Sequence, residues 1–268
     1  MEAGLNHPIF DSVREWVDRI GNTPTLDLLN SFSEEKDLKS ESGESIRFVP
    51  PSAADPYYEV HVYETGHVQT RPDSKHDLFN ALAWLSFPKT KARINAMHAA
   101  EMPRENGRRG RLRDMLTIFD EGGAIVICGD VVANLVRQAR WRELFVNRHR
   151  EFSIVVVGHA VLEQALAPRP GITCKVIFAD PAHGLDAQAA HWLATQGRTP
   201  RDLPPLPVFG YPGWFPDSGQ AGFYADERYF RPLQRGKMLA GVGQAAAVTA
   251  VANAGTEESP GSRERDAG

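Results

Sequence analysis

The chain predicts an α/β (or α+β) fold in which helices flank a mixed central sheet, and three observations carry that expectation. Short runs are apolar on both faces, Ala124-Ile-Val-Ile-Cys128 and Ser153-Ile-Val-Val-Val157, as strands covered on two sides must be. Segments with apolar groups at helical spacing stand before and between them. A chain of 268 residues, 42% hydrophobic and 24% charged, is long and apolar enough to bury a sizeable core. We expect one globular domain over residues 1–235. From about residue 236 onward Ala, Gly, Ser and charge dominate, which predicts a disordered tail over 236–268.

In order along the chain, Ile9, Phe10, Val13, Trp16, Val17 and Ile20 recur at helical spacing, and Gly21-Asn22 with Pro24 ends that helix. Leu26 to Asn30 predicts a second short helix. Ser31 to Ser45, rich in Ser, Glu and Lys, predicts a mobile loop. Glu59-Val-His-Val-Tyr-Glu64 alternates imperfectly and predicts a strand, with Thr65-Gly66 as a turn. Ser74-Lys-His-Asp77 has the form of a capping box, opening a helix that carries Leu78, Phe79, Leu82 and Leu85 inward until Pro88 breaks it. A second helix runs from about Thr90 to Glu101.

Met115 to Phe119 and Ala124 to Cys128, joined by Asp120-Glu-Gly-Gly123, predict a β-hairpin, and Asp120-Glu121 are read there as turn residues. Asp130 is placed to cap the next helix. Ser153 to Val157 is the strongest buried-strand pattern and ends at Gly158-His159, followed by a helix over Ala160 to Leu166. Ile172 to Phe178 predicts another strand, and Asp186 to Thr195 a helix. After Leu203-Pro-Pro-Leu-Pro207, the aromatic-rich segment from Phe209 to Phe230 predicts a long ordered coil over the body.

The opening residues, Met1 to Pro8, hold neither a basic segment nor an apolar run, and no window approaches the roughly 20 apolar residues that span a bilayer, so a cytoplasmic protein without a membrane partner is expected. Cys128 and Cys174 sit inside apolar runs and read as buried free thiols. A formal net charge of −4 argues against a general polyanion binder. The chain lacks a nucleophile elbow, a phosphate-cradling loop, a dinucleotide fingerprint and paired Cys-x-x-Cys motifs.

Six stretches carry a resemblance: Tyr63-Glu-Thr-Gly-His-Val-Gln-Thr-Arg71, His76-Asp-Leu-Phe-Asn-Ala-Leu-Ala-Trp84, Phe87-Pro-Lys-Thr-Lys-Ala-Arg-Ile-Asn95, Leu116-Thr-Ile-Phe-Asp-Glu-Gly122, Val157-Gly-His-Ala-Val-Leu-Glu163 and Tyr211-Pro-Gly-Trp-Phe-Pro-Asp217. In this order they resemble the bacterial family known as domain of unknown function 3025, over roughly Ile9 to Pro232. The resemblance implies no activity, cofactor or catalytic residue.

Three groups of residues can carry chemistry. His76 and Asn80 share a helix face, and Lys91, Asn95 and His98 form a polar stripe on the next helix, so the two meet if the helices pack as a hairpin. Asp77 beside His76 suggests a carboxylate that orients a general base, the alternative being an acid complementing a helix start. His159, just past a buried strand, has Glu163 one helical turn on, a spacing that suits two metal ligands but, without a third and fourth ligand, reads first as a structural pair. The third group is basic: Arg108, Arg109, Arg111 and Arg113, with Arg104 nearby, suit phosphate oxygens or form a solvated loop. The leading expectation is an enzyme acting on a small anionic substrate by acid–base or metal-assisted chemistry, with the metal unspecified. The alternatives are a nucleic-acid or phosphorylated-ligand binder using the Arg104–Arg113 span, or an interaction protein docking through its aromatic C-terminal segment.

Overall fold

Side-chain caps, from Thr25 and Ser74, start two of the helices in the N-terminal half. The computed structural model describes residues 3–21, 24–52, 57–105 and 109–233. A 3-10 turn over Pro8–Val13 leads into α1 (Arg14–Ile20), which stops at Gly21 with φ 63°. Thr25 caps α2 (Leu26–Glu35) by accepting a hydrogen bond from the Leu28 amide. The segment expected as a mobile loop therefore begins as the last five residues of a helix, Ser31 to Glu35. Beyond it Leu38 and Ser40 are buried and Lys39 bridges Ser45.

Residues 59–64 are not a strand. They lie in α3 (Tyr58–Thr65), which Gly66 ends in the left-handed conformation at φ 73°. A Cβ at Gly66 would meet the Ser45 carbonyl oxygen at 2.1 Å, so this position needs glycine twice over. The helix joins β1 (Arg47–Val49) to β2 (His67–Gln69), which pair in parallel. Ser74 then caps α4 (Lys75–Ser86), and Pro88 sits in the first turn of α5 (Pro88–Glu101), where its missing N–H costs nothing.

The expected hairpin over 114–128 is half helix: α6 spans Arg111–Gly122 and only β3 (Gly123–Ile127) is extended. Leu112, Met115, Leu116 and Phe119 repeat at three and four, and tertiary packing of that stripe overrides the β-branched local preference. Gly129, not Asp130, occupies the cap position of α7 (Asp130–Arg137). The remaining elements are β4 (Ser153–Val156), α8 (His159–Gln164), β5 (Thr173–Ala179), α9 (Leu185–Ala194) and β6 (Pro205–Pro207).

The sheet order is β4-β3-β5-β6, with β3 antiparallel to β4 and parallel to β5, and β5 antiparallel to β6. This is the mixed sheet that the apolar runs predicted, although Ser153–Val156 is an edge strand. Alternate strand residues enter opposite faces: Ala124, Val126 and Val176 pack toward α1, α2 and α4, while Ile125 and Ile177 pack toward α5, α6 and α9. The C-terminal coil lies on the first layer through hydrogen bonds from Tyr211 to the Phe152 carbonyl and from Tyr229 to the Ile172 carbonyl. Residues up to Pro232 form one compact unit; the expected tail lies outside the described residues. Among the described residues no helix is long and apolar enough to cross a membrane. Cys174 is buried on β5 and Cys128 is half-buried just past β3; both are free, and burial pushes their thiols up to about 12 and about 11.

Candidate functional site

At one end of the sheet, the carboxyl end of β4 lies beside the amino end of β3, because the two strands are antiparallel. The Val157 and Gly158 amides both donate to the Gly123 carbonyl, at 3.0 and 2.8 Å. A Cβ on Gly158 would stand 2.5 Å from the Gly123 nitrogen and 2.6 Å from the Glu121 carbonyl. That close approach sets His159, the first residue of α8, against Asp120 and Glu121 in the last turn of α6. Carboxylates at a helix C-terminus oppose the macrodipole, so their presence there needs another reason.

Helices α3, α4 and α5 close the other sides. The resulting cleft has a volume of about 450 Å³ and is lined by Glu59, Arg71, His76, Asp77, Asn80, Lys91, Asn95, Asp120, Glu121 and His159, with Tyr58 and Trp84 among its apolar walls. His76 and His159, distant in sequence, meet there: their Nε2 atoms are 3.1 Å apart and the rings are tilted by 71°. His76 Nδ1 lies 2.9 Å from the Glu163 carboxylate. Glu163 thus serves α4 and not the histidine on its own helix, and the i, i+4 pairing read from the sequence does not form. His159 Nδ1 faces Asp120, 3.8 Å from its Oδ2 and beside its backbone, without a hydrogen bond of good geometry.

Asp77 does not orient His76. Its carboxylate accepts from the Arg71 amide and, in bidentate fashion, from the Arg71 guanidinium, at 2.8 to 2.9 Å. Only half of the expected capping box is present, since the Asp77 amide donates to Ser74 Oγ while the carboxylate turns to Arg71. Burial opposes the Asp77 charge, but the Arg71 and Ser74 hydrogen bonds prevail and hold it down at about 2. The helix hairpin does form. Lys91 Nζ, almost wholly buried, donates to Asn80 Oδ1 at 2.8 Å and to Asp120 Oδ1. Burial penalises the Asp120 carboxylate, yet Lys91 and His159 beside it keep it ionised below the usual range.

Glu59 is the group sequence reasoning missed most plainly, because the segment read as a strand is a helix that turns this side chain into the cleft. Its carboxylate and its carbonyl both accept from Asn95 Nδ2 at 2.8 Å. Burial raises it to about 7 despite that bond, and the Asp120 charge adds to the rise. Burial pushes His159 down to about 4, so it is neutral at physiological pH. Burial also raises Glu121. Asp120 and Glu121, read as turn residues, stand in the cleft wall. The helical period through Leu112, Met115, Leu116 and Phe119 is the signal that places them on α6.

His98 lies behind the cleft, where Arg113 Nε donates to its Nδ1 at 3.1 Å and burial lowers it to about 4. The arginine span is largely spent on internal pairs: Arg104 with Glu101, Arg109 with Asp114 and Arg113 with Glu105. Arg111 is exposed, and Arg108 lies outside the described residues.

The family model DUF3025, described as a protein of unknown function, matches residues 46–234. The chain belongs to that family. The match takes in every residue of the cleft and begins at residue 46, inside the stretch from Ile9 to Pro232 that carries the sequence resemblance. No curated protein and no solved structure matches the chain.

Proposed function

We propose that the protein is a cytoplasmic enzyme acting by acid–base or metal-assisted chemistry on a small polar substrate held in the cleft. The observation that carries this reading is the convergence of His76, His159, Glu59, Lys91, Asp120 and Glu121 from five helices on one cavity. Burying Lys91 and His159, with Asp120 half-buried between them, costs several kcal/mol per ion or polar group before pairing, which a fold stabilised for its own sake avoids with apolar residues. Perturbed carboxyl and imidazole groups gathered in a cleft are the usual signature of proton-transfer sites. Glu59, raised to about 7, can give or take a proton near neutrality, and His159, held neutral by burial, offers a lone pair in the same cleft. Asn80 and Asn95 offer directional contacts, and Asn95 Oδ1 is buried without a partner.

The anionic substrate expected from sequence has thinner support, because the cleft cations Lys91 and Arg71 are each committed to a carboxylate. The basic span as a polyanion site is weaker for the same reason, since three of its guanidinium groups pair internally. Docking through the aromatic segment is weaker still. Trp214, Tyr224, Tyr229 and Phe230 are buried in the fold.

The test is turnover of a panel of small esters, amides and phosphate esters, with wild type, Glu59→Gln and His76→Gln compared across pH. We expect activity with a limb near pH 7 that Glu59→Gln removes, and loss of activity in His76→Gln. Turnover unchanged in both variants overturns the assignment.

A further inference from the structure

We infer that His76 Nε2, His159 Nε2 and the Glu121 carboxylate form a binding site for a single divalent transition-metal ion, with zinc as the best-suited candidate. The inference rests on the reading of this cleft as a reaction site and deepens it. The Glu163 carboxylate oxygen 2.9 Å from His76 Nδ1 accepts from an N–H there, and the tautomer with its proton on Nδ1 turns the Nε2 lone pair toward the cleft. That lone pair points at His159 Nε2 only 3.1 Å away. At that separation the two nitrogens either share a proton as an N–H···N hydrogen bond, donated by His159 Nε2, or together ligate a metal ion that takes the proton's place.

The distances suit a metal. Ligand atoms about 2.0–2.2 Å from a tetrahedral ion stand roughly 3.3–3.6 Å apart. The His76–His159 edge is 3.1 Å and the His159–Glu121 edge 3.8 Å, with all three ligand atoms within 4.8 Å of one another. Glu121 is 44% exposed, so its side chain can rotate to close the longest edge. Behind the ligands, Glu163 on His76 reproduces the carboxylate–histidine–metal arrangement that orients ligating imidazoles. The His159 Nδ1 faces Asp120 in the same sense and is buried without a hydrogen bond of good geometry.

Charge agrees with geometry. Asp120, Glu121 and Glu163 bring three carboxylates against the ammonium of Lys91, a surplus of two negative charges that a divalent ion balances. Two imidazoles and one carboxylate favour zinc or a neighbouring first-row ion over calcium or magnesium, which prefer oxygen alone. The open side of the ion faces the cleft, where it would polarise a bound water or a substrate oxygen.

The experiment uses the full chain, stripped with chelator and titrated with zinc by calorimetry and with cobalt by visible absorption. We expect one equivalent of metal per chain, a cobalt spectrum of nitrogen–oxygen ligation, and thermal stabilisation by zinc. His76→Gln and Glu121→Gln, both partly exposed and so tolerated by the fold, should each abolish stoichiometric binding. Glu163→Gln should retain one equivalent at about 10- to 100-fold lower affinity. His191→Ala, exposed and remote, should change nothing. No stoichiometric binding by wild type, or equal binding by His76→Gln and wild type, overturns the site. Because binding is read without turnover, a metal-free protein that still turns over substrate overturns only the metal, while a metal-binding protein that turns over nothing leaves the site and removes the enzyme.

Discussion

Glu59→Gln separates a carboxyl held neutral by burial from an ordinary one. Burial raises Glu59 from 4.5 to about 7, so between those values the folded protein holds a proton that the unfolded chain has released. Stability from this group is therefore complete below pH 4.5 and is lost as pH climbs to 7 and beyond. At about 1.4 kcal/mol for each pH unit, the loss amounts to about 3 kcal/mol. Glutamine keeps the acceptor for Asn95 Nδ2 and never ionises. The variant should match wild type at pH 4 and exceed it by up to about 3 kcal/mol at pH 8, a rise in midpoint of about 6–12 °C for a domain of this size. His98 and His159, lowered to about 4, act with the opposite sign in the same window, so the wild-type profile alone does not isolate Glu59. The assay is urea unfolding of chelated wild type and variant at pH 4, 6 and 8, and only their difference is interpreted. A difference that stays flat with pH refutes a neutral Glu59.

Two further substitutions probe how the cleft is held. Lys91→Met leaves the Asp120 carboxylate without its ammonium and should destabilise by about 3–5 kcal/mol, with Lys91→Met/Asp120→Leu recovering part of the loss in the same unfolding assay; a neutral single variant would mean that the pair is solvated. Gly158→Ala places a methyl against backbone on three sides and should cost at least about 1–3 kcal/mol, because backbone cannot repack around it. An unfolding midpoint equal to wild type would show that β3 and β4 do not approach so closely there.

Much of the fold was legible because apolar patterning encodes it. The two-sided apolar runs at Ala124 and Ser153 do lie in one mixed sheet, Ser74 caps the helix expected there, and Pro88 separates the two helices, although the second starts at Pro88 itself and not near Thr90. The failures share a cause. In Glu59-Val-His-Val-Tyr63 only Val62 is fully buried, so alternation of β-branched residues was accidental, and contact with α5 decided the conformation. At Leu112 to Phe119 two periods coexist, and the helical one prevailed because it fills the layer beneath β3 and β5.

The candidate site was legible in its histidines and in Glu163, but not in which partner each carboxylate takes, for a related reason. His76 and His159 stand at element starts, where sequence signals are sharp, and a polar residue after a buried strand invites attention. The acids that tune them come from elsewhere: Glu163 crosses to α4, Asp120 answers to Lys91 on α5, and Asp77, the nearest in sequence to His76, is taken by Arg71. Partner choice among charged groups depends on which helix faces meet, and that is fixed by the apolar stripes on their opposite sides. Reading function from this chain therefore required the packing first. The glycine at 158, with no chemistry of its own, decides the outcome by letting two strands approach until one histidine reaches a helix end that carries two acids.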